Sequence, residues 1–178
     1  MNRLSILIGL LLILFACKPP TPIDHIDVLA TYDSVYTTAD IQWHKQYYPL
    51  LDQQVFSIDL LSDGLAFDSA HHIVGTGVNL YLSDIFLPIE YTKLQNGTYR
   101  MDSTAAPYTF LPYMYFEGNS TGCYMLDIEE SQIKRIIGFT NGYVEMQSTG
   151  EDIQMNFTLY LADSTCYHAT YQGPAIYR

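Results

Sequence analysis

Positive charge is the scarcest property of this chain. Eight Lys and Arg stand against 19 Asp and Glu in 178 residues, a formal net charge of −11. That balance disfavours nucleic acid, which needs a basic footprint. It equally disfavours adhesion of the folded part to anionic lipid headgroups. No Gly-x-Ser-x-Gly, His-Glu-x-x-His or phosphate-binding loop occurs, so no catalytic residue is assigned and no cofactor is implied. Long apolar runs are missing as well. The stretch Leu4–Ala16, broken only by Ser5 and Gly9, falls short of the roughly 18 residues that a spanning helix needs.

A single Arg3, a short apolar middle and a small residue before Cys17 make a secretory signal peptide over residues 1–16. Leu14-Phe15-Ala16-Cys17 resembles a bacterial lipobox, with Phe15 bulkier than that position usually carries. The resemblance implies cleavage before Cys17, alkylation of its thiol by a diacylglyceryl group, and several acyl chains of the palmitate class on that one residue. Two or more chains anchor a protein stably where one does not. Residues 17–30 then serve as a lipidated cysteine and a tether, stiffened by Lys18-Pro19-Pro20-Thr21-Pro22. No Asp follows Cys17 and no acidic cluster follows Lys18. Among such lipoproteins this points to the outer membrane and leaves its periplasmic or surface face open. Loss of Arg3 takes the mature charge from −11 to −12.

What is abundant is strand chemistry: 16 Tyr, with many Thr, Val, Ile and Phe. Apolar residues alternate at Phe56, Ile58 and Leu60, at Val78, Leu80 and Leu82, and at Phe157, Leu159 and Leu161. Period two with one apolar face predicts antiparallel sheet with a core side and a wet side. Ser62-Asp63-Gly64, Gln95-Asn96-Gly97, Glu117-Gly118-Asn119, Asn141-Gly142 and Thr149–Asp152 supply turn chemistry between strands. The expected fold is all-β: residues 31–178 form one antiparallel β-sandwich or flattened β-barrel of about eight to ten strands. At most one short helix is expected, over 127–137, where Ile133, Ile136 and Ile137 follow Leu126 at helical spacing.

From Leu94 onward the chain resembles small lipoproteins of Bacteroides-type bacteria. The likeness rests on Leu94-Gln95-Asn96-Gly97-Thr98-Tyr99, Gly142–Met146, Asp152–Ala162 and Ala169–Gly173. Gln95 replaces their proline and Met146 a β-branched residue. The resemblance implies an all-β domain behind a lipid anchor and no established activity. Asp33-Ser34-Val35, Asp68-Ser69-Ala70, Asp102-Ser103-Thr104 and Asp163-Ser164-Thr165 each resemble the acceptor that such cells O-glycosylate after export. That likeness nominates Ser34, Ser69, Ser103 and Ser164; Asp-Ser is also ordinary turn chemistry.

With Cys17 acylated, Cys123 and Cys166 remain, either as a disulfide in an oxidising compartment or as two thiols. His71-His72, with His25, His44 or His168, is the nearest approach to a metal set, and a solvated turn is the better reading of the pair. Glu129-Glu130 and Glu151-Asp152 read as solvated turn charges rather than a glycosidase pair. Trp43, Tyr113 and Tyr115 are candidates for an aromatic binding face, against the plainer reading of ordinary sheet aromatics. The expected role is an outer-membrane-anchored binding or structural accessory, contacting glycans or a partner protein. The alternative is a small hydrolase with a carboxylate or His cleft.

Overall fold

A computed structural model describes residues 35–44 and 52–178. The signal peptide, Cys17, the tether and Ser34 lie outside the described residues. Every regular element described is a strand. Strand β1 (Val35–Trp43) leads to β2 (Gln53–Ser62), then to the short hairpin β3 (Leu65–Phe67) and β4 (Ile73–Gly75). The long β5 (Gly77–Pro88) precedes β6 (Gly97–Met101), β7 (Thr109–Phe110) and the hairpin β8 (Met114–Phe116) and β9 (Asn119–Thr121). A second hairpin joins β10 (Cys123–Glu129) to β11 (Gln132–Gly138), and the chain closes with β12 (Asn141–Thr149), β13 (Asp152–Tyr160) and β14 (Cys166–Tyr177).

The main sheet runs β11-β10-β5-β2-β1-β14-β13-β12-β6-β7, and β7 pairs again with β5. That pairing closes β5, β2, β1, β14, β13, β12, β6 and β7 into an eight-stranded barrel, with β10–β11 branching outside. Pairing is antiparallel except at β1–β14 and β6–β7. The second exception is compact. The chain returns from Met101 to Thr109 through a short loop in which Ala105 (φ 55°) and Tyr108 (φ 61°) are left-handed, a shorter crossover than parallel strands usually need.

The alternating residues point where period two put them: Phe56, Ile58, Leu60, Val78, Leu80, Leu82, Phe157 and Leu159 all enter one core. They meet Tyr36, Tyr99, Phe110, Phe139, Tyr167 and Tyr171, all essentially without solvent contact. Eight strands enclose an interior that side chains can fill, and here they fill it. The hydroxyls of the buried tyrosines Tyr36, Tyr99, Tyr167 and Tyr171 are partnered, since an unmet one costs stability. Tyr36 Oη lies 2.9 Å from Tyr167 Oη. Tyr99 Oη accepts from Gln95 N–H (2.8 Å) and donates to Gln95 O (2.9 Å), so the Leu94–Tyr99 stretch closes on itself.

A wet outer side was expected everywhere, but β2 and β5 are largely buried on both faces. Leu61, Leu65 and Ile128 form a second, smaller core, packed by Phe67, Ile73 and Leu126, where the β3–β4 hairpin lies against the outside of the barrel. The possible helix over 127–137 is instead the β10–β11 hairpin. Its turn residues Glu130 (φ 51°) and Ser131 (φ 63°) are both left-handed, the backbone of a primed hairpin turn. Asn141-Gly142, expected as a turn, begins β12 and pairs with Tyr160 and Leu159. A β-carbon on Gly142 would meet Thr158 O at 2.5 Å, so close strand approach rather than a bend calls for glycine there.

Because β7 is two residues long, ring closure leans on Phe110, which is fully buried. Phe110→Ala is expected to cost about 3–5 kcal/mol. Urea denaturation of the variant checks it; an unchanged midpoint would show that the ring does not depend on that side chain.

Candidate functional site

A network of polar groups lies on the outside of the barrel. Asp40 on β1 and Asp59 on β2 are directly opposite each other, and Tyr81 and Tyr124 continue the row on β5 and β10. Asp40 is completely buried although it sits on the outer face. It is met from two sides. His71 Nε2 lies 2.8 Å from its Oδ2, and Arg178 Nε lies 3.0 Å from its Oδ1. The second contact is an ion pair without an aligned hydrogen bond. His71 is held in place by stacking on Phe67, with ring centroids 4.3 Å apart, and by a left-handed backbone (φ 67°) at the end of the loop between β3 and β4. The expected solvated turn at His71-His72 is therefore half right. His72 is exposed, whereas His71 turns inward because a buried carboxylate needs a partner.

Among the described residues, no cation pairs with Asp59. Burial pushes its carboxyl up to about 6; the Asn79 side chain, donating at 3.0 Å, opposes the shift, Asp40 adds to it and His71 opposes it. A carboxyl in that range suits proton transfer near neutral pH. Its neighbours are engaged with one another, however, and the network binds strands and hairpin together. Nearby, His44 Nε2 lies 2.8 Å from Ser57 Oγ. This nucleophile-and-base spacing is withdrawn from solvent, since Ser57 is 2% exposed. Among the described residues, no group of three His, Cys, Asp or Glu is placed to hold a metal.

The other candidates fall in separate places. Cys123 and Cys166 are both free, which overturns the disulfide alternative. Cys123 points into the main core from β10. Cys166 begins β14, separated from β10 in the sheet by the three strands β5, β2 and β1, with its Sγ 3.3 Å from His168 Nε2. Burial raises both thiols above the usual range, so neither is an activated nucleophile.

The aromatic platform is likewise not assembled. Trp43 packs against the main core, and its Nε1 donates to Gln54 Oε1 at 2.7 Å. Tyr113 precedes β8 and lies edge-on to Tyr124 outside the barrel, ring centroids 5.9 Å apart. Only Tyr115 presents its ring to solvent, at 66% exposure.

Ser69, Ser103 and Ser164 are all exposed in loops. In each triplet the aspartate accepts a hydrogen bond from the amide two residues on: Asp68 from Ala70 (2.9 Å), Asp102 from Thr104 (2.7 Å) and Asp163 from Thr165 (2.9 Å). Hydrogen bonding to the charged form holds all three carboxyls below their usual range: first from the His72 amide at Asp68, the Thr104 side chain at Asp102 and the Thr165 amide at Asp163.

No family model, curated protein or solved structure matches the chain. The reading of function rests on these residues.

Asp59 makes a pH prediction. Its carboxyl holds a proton more tightly folded (about 6) than unfolded (3.8), so folding stability falls as pH rises between those values and levels off above. Asp59→Asn is expected to stabilise the protein by about 2 kcal/mol above pH 7 and by nothing below about pH 4. Thermal melts of both proteins across that range check it. A pH-independent difference would remove Asp59 from the account.

Proposed function

We propose that the chain is exported, held at the outer membrane by acyl chains on Cys17, and acts there as a binding or structural accessory, contacting glycans or a partner protein. The observation that carries this reading is the filled barrel. Small-molecule sites are concave and need enclosed room, and here Tyr36, Phe56, Tyr99, Phe110, Phe139 and Phe157 occupy the interior. Work by such a molecule falls to its outside. The hydrolase alternative is the weaker reading, because Asp40 is held by His71 and Arg178 and Ser57 is out of reach of a substrate. The all-β fold agrees with the Bacteroides-type resemblance, and the lipobox-like Cys17 supports anchoring.

Anchoring is tested by Cys17→Ala. An uncleaved precursor without acyl chains is expected in membrane fractionation and mass spectrometry. A mutant processed and retained like the natural protein would defeat the anchor.

O-glycans on Ser34, Ser69, Ser103 and Ser164 belong to the same reading. The exposure of Ser69, Ser103 and Ser164 supports it, since a modifying enzyme needs a reachable hydroxyl. Intact-mass analysis of protein from its own host should show glycan increments that disappear when the serines become alanine. A bare polypeptide mass would reduce the triplets to turns.

A further inference from the structure

Closed barrels have no edges, but the branch outside this one does. On the side of β11 away from β10, no strand among the described residues pairs with it. An unpaired edge offers a row of main-chain donors and acceptors to another strand. Two further properties gather there. Of the seven exposed large apolar side chains among the described residues, two (Ile133, Ile136) lie on β11 and three (Met114, Tyr115, Phe116) on β8. The residues flanking these elements meet: Tyr113, just before β8, lies against Gly138 at the end of β11, where a β-carbon would sit 2.1 Å from Tyr113 Cδ1, and Tyr113 N–H donates to the carbonyl of Phe139, just after β11, at 2.9 Å. Adjacent on the same edge are Lys134 and Arg135, both exposed, Arg135 also pairing with Asp127 of β10 at 3.3 Å, in a chain of net charge −11.

We infer that β11 is a strand-addition site for an extended protein segment carrying acidic and apolar side chains, with Met114, Tyr115 and Phe116 closing over its far end. The inference rests on the accessory reading and names its partner class. Backbone pairing supplies affinity in such complexes, and side chains on alternate positions supply specificity. The cations select an acidic partner, because the rest of the surface repels one. A second copy fits poorly: antiparallel self-pairing about the middle of β11 (Gln132–Gly138) sets Arg135 against its own copy, and like charges across strands destabilise. A bilayer fits poorly too, since hydrocarbon leaves the edge amides and carbonyls unmet.

The test uses the purified full chain and a synthetic peptide of about ten residues alternating Val or Thr with Asp. At about 1 mM peptide, amide exchange over 132–138 should slow at least tenfold, and the effect should fade from about 0.02 M to about 0.3 M salt. Lys134→Glu with Arg135→Glu should abolish it and confer the same protection from a peptide with Lys in place of Asp. The site is overturned by unchanged exchange, by equal protection from both peptides on the natural chain, by protection that grows with protein concentration alone, or by protection from phosphatidylcholine vesicles instead. None of these outcomes depends on acylation, so failure here leaves the Cys17→Ala result to judge the anchor separately.

Discussion

Closure of the ring through β7 is the constraint on which the rest depends. Thr109 faces Phe86 on one side and Arg100 on the other, and Phe110 faces Met101. Around these pairs Tyr108 N–H donates to Phe86 O, Arg100 N–H to Tyr108 O and Asp102 N–H to Phe110 O, at 2.8 to 3.0 Å. Without them β5 and β6 would be long open edges. With them, the inward residues of eight strands share one core.

The outside is built in a second step. Strand β2 carries Val55, Ser57 and Leu61 on its outer face, all buried, so it cannot be an ordinary half-wet strand. The β3–β4 hairpin covers part of that face, and its loop delivers His71 to Asp40. A buried carboxylate stripped of either partner is strongly unfavourable, which makes His71 and Arg178 complementary fastenings of one group. They come from opposite directions, His71 from the hairpin and Arg178 from beyond the parallel strand β14. Asp59 sits beside this pair, and burial is what raises its carboxyl.

Alternation was legible wherever one face met the core, which is why β2, β5 and β13 read correctly from Phe56, Val78 and Phe157 onward. The β10–β11 hairpin was ambiguous because Leu126, Ile133, Ile136 and Ile137 serve several surroundings. Ile137 packs against the main core, Leu126 against the small one, and Ile133 and Ile136 are exposed. Its turn carries Glu-Ser rather than Asn-Gly, so its left-handed backbone has no local signal. The polar network was visible only as single acids within apolar strands, Asp40 before Ile41-Gln42-Trp43 and Asp59 before Leu60-Leu61. Their juxtaposition depends on β1–β2 register, which the loop between these strands does not spell out. The aromatic platform failed for a related reason: Tyr113 and Tyr115 share a face only if both lie in one strand, and β8 starts at Met114.

The open edge of β11 follows from a local feature of β5. Between the pairs Phe56–Ile85 and Ile58–Leu82, β2 contributes one residue and β5 contributes Ser83 and Asp84, a bulge in which Asp84 is left-handed (φ 53°). Bulges bend a strand and re-aim its neighbours. Before this one, residues 77–82 pair with β10; beyond it, Phe86 pairs with β7. The sheet therefore divides at Ser83-Asp84, one branch closing the barrel and the other ending at β11. The same two residues root the exposed hairpin. Ser83 Oγ accepts from Gly122 N–H at 2.7 Å and donates to Asp84 Oδ2 at 2.8 Å, while Thr121 Oγ1 donates to Asp84 Oδ2 at 3.3 Å. One bulge thus produces the free edge of β11 and roots the hairpin that carries Met114, Tyr115 and Phe116.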